Sequence, residues 1–209
     1  MECPHPPGFH TEVREHYAAT GAEVARLLRS APEDLWTAPT PCRDWDVRTL
    51  VNHLAAQHLW VCQAIAGYTP AQIGHRFEGD VLGRNPLGVW TMATRSAQRA
   101  LARPGAPDLL VHLGYGVRDA GGYARELVAE TVVHGWDLSR ALGERGRIPP
   151  GSARYALAEF HGYRDLAGTG RFDPPFAAPP GADAEDQLRG HHRPRPAGWA
   201  DHKRGQPTR

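Results

Sequence analysis

The chain has 209 residues, 41% of them hydrophobic and 22% charged, with a formal net charge of +1. That length can bury a full core and is most simply one domain, while a balance so near neutrality singles out no class of partner. No apolar run approaches the roughly 20 residues that span a bilayer, and the start Met1-Glu2-Cys3-Pro4-His5-Pro6-Pro7 has neither a basic nor an apolar signal region. The expectation is a cytoplasmic protein with no membrane partner. Cys3, Cys42 and Cys62 are odd in number and lack CxxC spacing, which argues against a disulfide framework and against a cysteine zinc knuckle.

After a proline-rich lead-in, Thr11 is placed to cap a helix running to about Ser30, with Glu12 and Glu15 near its positive end and Val13, Tyr17, Val24, Leu27 and Leu28 inward. Pro32, Pro39 and Pro41 bar continuous helix between Ala31 and Arg43, predicting a connection that crosses the bundle end. Asp44 or Asp46 then caps a second helix, which continues to about Gly67 with Leu50, Leu54, Val61 and Ile65 as its stripe. Tyr68 to Arg84 mixes Gly, Pro and charge without a period and reads as a long loop, of a length that usually has a job or is disordered. Asn85-Pro86 starts a third helix whose stripe is Leu87, Trp90, Ala97 and Leu101, until Pro104-Gly105 stops it.

The alternation of Leu109, Val111, Leu113, Tyr115 and Val117 predicts one short strand or extended segment, too short for a sheet domain. A fourth helix spans about Gly122 to Leu142 and a fifth Ser152 to about His161, each ended by glycine. Beyond Gly168 the chain is rich in Pro, Gly and Ala, apart from a turn of helix at Ala184 to Leu188. Arg189 to Arg209 carries six Lys or Arg against one Asp and reads as a flexible basic tail rather than a nucleic-acid arm. The expected fold is all-α: four long antiparallel helices, a short extended segment and a fifth C-terminal helix, forming a bundle over residues 1–188 with the tail at 189–209.

Two helices carry polar side chains where apolar ones belong. In the fourth, Leu127, Thr131, Leu138 and Ala141 mark the inward stripe, and Glu130 and His134 fall inside it, one turn apart on one face. On spacing alone the pair reads first as a partly exposed hydrogen bond. His53, inside the stripe of the second helix, turns the reading toward a metal, because burying three such groups unpaired is costly. Two histidines and one carboxylate suit a borderline divalent ion, and three protein ligands leave positions open as catalytic zinc sites do. Asp137, three residues after His134, either takes the free imidazole proton of that ligand from the second shell or simply bonds near the helix end. His58 follows His53 by five residues and so points elsewhere. Cys42 reads as packing, since only Arg43 stands near to activate it. In the long loop, Arg76 and Arg84 read most plainly as solvated side chains, with thiol or substrate binding as the functional alternative.

Thr40-Pro-Cys-Arg-Asp-Trp-Asp-Val-Arg-Thr-Leu-Val-Asn-His53-Leu and, later, Glu130-Thr-Val-Val-His134-Gly-Trp-Asp-Leu-Ser-Arg-Ala-Leu-Gly143 together resemble the mycothiol-dependent maleylpyruvate isomerase family, a branch of the DinB-like metal-binding four-helix bundles. The resemblance extends to about Leu188. The ending His191-His192-Arg193-Pro-Arg-Pro departs from the family's usual final helix and turn. By matching position, His53, Glu130 and His134 would be the metal triad. The resemblance further implies transfer, addition or isomerisation on a small electrophilic substrate, with a low-molecular-weight thiol such as mycothiol activated at the metal. Two other readings of the same triad are a non-haem iron oxygenase, whose facial triad has the same ligand types, and a non-catalytic metal-binding protein.

Overall fold

A computed structural model describes residues 8–42, 44–144 and 148–162. Within them the elements are α1 (Phe9–Ser30), α2 (Val47–Ile65), the short α3 (Pro70–Ile73), α4 (Pro86–Leu101), a hairpin of β1 (Leu110–Leu113) and β2 (Gly116–Asp119), α5 (Ala120–Ala141) and α6 (Ser152–Gly162). The expected turn at Ala184–Leu188, the basic tail 189–209 and the rest of the bundle range beyond 162 lie outside the described residues.

The four long helices form an all-α, DinB-like bundle in which α1 and α2 each pack on both α4 and α5. The α1 and α2 helices therefore face each other diagonally, and the proline-bearing connection between them crosses the bundle end. Directions follow from paired contacts. A Cβ on Gly121 would meet Phe9, one on Gly135 would meet Val24, and Arg26 reaches Glu144, so α1 and α5 run parallel. His53 lies against His134 while His58 bonds Thr131, so α2 runs opposite to α5. Trp90 sits in one apolar cluster with Val24 and Leu27, and Leu101 in a second with Phe9 and Val13, so α4 opposes α1 and parallels α2.

The order is up-down-down-up, which corrects the expectation of uniformly antiparallel neighbours. Its physical reason is the segment after α2. To start α4 parallel to α2, the chain must return the length of a 19-residue helix, about 28 Å. That is the work of the stretch 66–85, which covers the long loop expected at Tyr68 to Arg84. It contains α3, with Thr69 and Gln72 forming a capping box, and it is fastened along α2. Arg76 donates to Gln63, Asn52 donates to the Gly79 carbonyl and accepts from the Val81 amide, and Arg48 reaches Asp80 and the Gly83 carbonyl. Leu82 is buried at the crossover's lower end.

Two further expectations change. The single strand near Leu109–Val117 is a two-stranded antiparallel hairpin in the register Leu110↔Asp119 to Leu113↔Gly116, turning at Gly114-Tyr115. Leu110 and Val117 are more than half exposed. Val111 and Leu113, two of the alternating residues, are buried in the core, so the hairpin turns one face inward. And α1 begins at Phe9 behind Gly8 in a left-handed conformation (φ 87°), with no side-chain cap from Thr11.

The caps of α2 and α5 position the functional helices. Asp46 accepts from Thr49 N at 2.7 Å, and Asp119 from Gly122 N at 2.6 Å. Hydrogen bonding from the Thr49 side chain first, and from its backbone amide as well, holds the Asp46 carboxyl below its ordinary range. Because the folded-state value is depressed, the cap's stabilisation is complete above about pH 4, near the unfolded carboxyl value, and is lost as pH falls through the lowered one. Asp46→Ala is expected to cost about 1 kcal/mol at neutral pH, with the gap to wild type closing on acidification. Urea denaturation at pH 7 and pH 3 checks both.

Candidate metal centre

The loop before α2 is built to aim two side chains inward. Thr40 closes it: its hydroxyl contacts the Cys42 and Trp45 carbonyls and accepts from the Cys42 amide, while its own amide donates to the Trp45 carbonyl. Asp44 takes the left-handed conformation (φ 66°), which aspartate tolerates better than most residues. Cys42 is thereby buried against α5, and the Trp45 ring lies 4.7 Å from the His53 ring and 5.8 Å from the His134 ring.

On α5 the helical repeat itself assembles the centre. Glu130, His134 and Asp137 stand four and three residues apart, so the buried imidazole meets a carboxylate at each nitrogen: Nε2 is 3.4 Å from Glu130 Oε2, and Nδ1 is 3.3 Å from Asp137 Oδ2. His53 comes from α2 with its ring centre 5.5 Å from that of His134 and nearly perpendicular to it. One donor atom each of His53, Glu130 and His134 falls within 4.8 Å of the others. Glu130 and His53 keep part of their surface open, whereas His134 is 2% exposed.

Behind this group lies a second one that sequence reasoning missed. The Cys42 Sγ is 3.1 Å from Asp137 Oδ2 and 3.6 Å from His134 Nδ1, with Asp137 fully buried. Asp137 thus accepts from the thiol and from the imidazole through one oxygen. Nothing in the local sequence near Cys42 signals this, because its partner is 95 residues away; Arg43 lies outside the described residues. Arg76 and Arg84 are exposed and do not join the cluster. Arg76 is bonded to Gln63, ten residues along α2 from His53, about 15 Å down the axis.

One layer further in, Thr131 donates to the Leu127 carbonyl and can therefore only accept from His58 Nε2, at 3.2 Å. That leaves His58 Nδ1 bare to accept from the Tyr17 hydroxyl. His58 is thus a neutral, satisfied core histidine. Burial pushes both His53 and His58 down to about 3. For His134 burial also opposes the charge, but Asp137, the Cys42 sulfur and Glu130 together outweigh it and hold the value well above the ordinary one.

The fold and this cluster define a class: a DinB-like helical bundle with two histidines and a glutamate converging from two antiparallel helices. The chain belongs to the mycothiol maleylpyruvate isomerase N-terminal domain family, whose model matches residues 17–139, more than half of its length, a span that includes Cys42, His53, Glu130, His134 and Asp137. Two curated proteins of Mycobacterium tuberculosis, from strains CDC 1551 / Oshkosh and ATCC 25618 / H37Rv, are each 25% identical over 134 residues, covering 64% of this chain and 69% of the relative; both are named as uncharacterized. No solved structure matches. Among the described residues no helix is long and apolar enough to cross a membrane.

The three histidines are expected to separate on titration of the metal-free protein. His53 and His58 stay neutral down to about pH 3, whereas His134 remains protonated above its ordinary range. A raised folded-state value stabilises fully below about pH 6.5, the unfolded value, and the stabilisation is lost as pH rises through the folded one. Histidine ring resonances followed by NMR check the order, and Asp137→Asn should bring the His134 titration down.

Proposed function

We propose that the protein is a metal-dependent enzyme, zinc being the preferred ion, that uses a low-molecular-weight thiol such as mycothiol for transfer, addition or isomerisation on a small electrophilic substrate. The observation that carries the reading is the convergence of His53, Glu130 and His134. Two ligands each about 2.0–2.2 Å from a tetrahedral ion stand roughly 3.3–3.6 Å apart, and His134 Nε2 lies 3.4 Å from Glu130 Oε2. The α5 pair therefore suits such an ion without rearranging the helix, and His53 brings a donor atom within 4.8 Å of both. The family's name supplies the link to mycothiol.

An ion held there lowers the pKa of a ligating thiol and polarises a carbonyl. Each side chain has a part in making that possible. His53 is neutral through the physiological range, so its ring is ready to donate a lone pair. Asp137 accepts the Nδ1 proton of His134, which fixes the ring and directs Nε2 toward Glu130. Glu130 brings the negative charge that two neutral imidazoles lack. Trp45 covers one side of both imidazoles and keeps water from that side. Three protein ligands would leave one tetrahedral position open for the thiol, with the electrophile held beside it.

His134→Ala is expected to abolish thiol-dependent turnover and to lower metal affinity by more than the roughly 10–100-fold that losing a residue supporting a ligand costs. Metal quantification on purified protein and mass spectrometry of a mycothiol-plus-electrophile screen check it. Arg84→Ala should keep the metal and weaken thiol or substrate binding. Turnover retained in metal-free His134→Ala protein would overturn the mechanism.

A further inference from the structure

Gln57 stands on α2 one turn beyond His53 and is 2% exposed. Among the described residues neither its Nε2 nor its Oε1 has a hydrogen-bond partner. A buried carboxamide that leaves both its donor and its acceptor unmade carries a penalty that native proteins seldom keep without a purpose. Its direction is fixed by its neighbours. Around the helix Gln57 lies about 40° from His53 and His58 about 140° from it, in the same sense. Both histidines reach α5, His53 toward His134 and His58 to Thr131. Gln57, bracketed between them, faces α5 as well, level with Glu130 and Thr131, because His58, the next residue along α2, already meets Thr131.

We propose that Gln57 is a ligand-binding residue of the centre described above. It would hold a polar group of the thiol that presents a donor and an acceptor side by side, such as a pair of neighbouring hydroxyls, about one helical turn from His53. The inference rests on the thiol-dependent reading of that centre. A carboxamide suits this task because its Oε1 accepts from one hydroxyl while its Nε2 donates to the other. A site built to satisfy both would discriminate strongly against thiols lacking the group, since they leave the amide unpaired.

The test is calorimetric titration of zinc-loaded protein with mycothiol and, as an apolar comparator, propanethiol, in wild type, Gln57→Leu and Gln57→Glu. Gln57→Leu should bind mycothiol at least tenfold more weakly, bind propanethiol and zinc as wild type does, and melt at an equal or higher temperature without ligand, because the unpaired amide is gone. Gln57→Glu keeps the shape but loses the donor, and it should weaken mycothiol binding while zinc binding persists. Unchanged mycothiol affinity in the folded variants would overturn the proposal and assign the amide to internal water. Wild type that binds neither zinc nor either thiol would instead overturn the reading of the centre, and this inference with it.

Discussion

The imidazole of His134 is the constraint around which the rest is arranged. It is almost wholly buried, and each ring nitrogen faces a carboxylate oxygen from its own helix. A carboxylate in that setting is costly unless paired. Holding Glu130 and Asp137 at four residues before and three after removes most of the ordering cost, because one helix fixes all three side chains. The partners from outside α5 then have little freedom. Cys42 fits the remaining side of Asp137, His53 completes the group at Nε2, and Trp45 covers both imidazoles.

This polar layer coincides with a seam in the hydrophobic core. One apolar cluster gathers the start of α1, the ends of α2 and α4, the start of α5, and α6; the other gathers the end of α1, Cys42, and the starts of α2 and α4. Between them lie Gln57, His58, Thr131 and His134, all buried. His58, Tyr17 and Thr131 satisfy one another and lock α1, α2 and α5 at that level. The two apolar halves supply the stability, and the seam can hold groups chosen for chemistry. The crossover from α2 to α4 runs past the same level, pinned by Asn52, the neighbour of His53. It is a fastened wall more than a free lid.

Much of this was legible in the chain. Stripes bounded by Pro, Gly and capping residues gave the four long helices, and His53, Glu130 and His134 stood out because each interrupts an apolar stripe. What stayed hidden depends on geometry that no local pattern carries. The parallel course of α2 and α4 is decided by where residues 66–85 lead, and that stretch has no period to read. The role of Cys42 depends on Thr40 closing a loop, on Asp44 adopting positive φ, and on a partner 95 residues distant. Nothing in the local sequence sets Gln57 apart from the other polar residues of α2. Its significance appears only when burial and missing partners are seen together.

Membership of the mycothiol maleylpyruvate isomerase N-terminal domain family and the convergence of His53, Glu130 and His134 lead to one central claim, proposed above: that this layer holds a single ion through those three residues and leaves Cys42 behind Asp137. X-ray absorption at the zinc edge, on zinc-loaded protein without added thiol, tests it most directly. The claim predicts one ion per chain in a shell of nitrogen and oxygen at about 2.0–2.2 Å, with scattering from two imidazoles. A sulfur scatterer at about 2.3 Å would place Cys42 on the metal and contradict it.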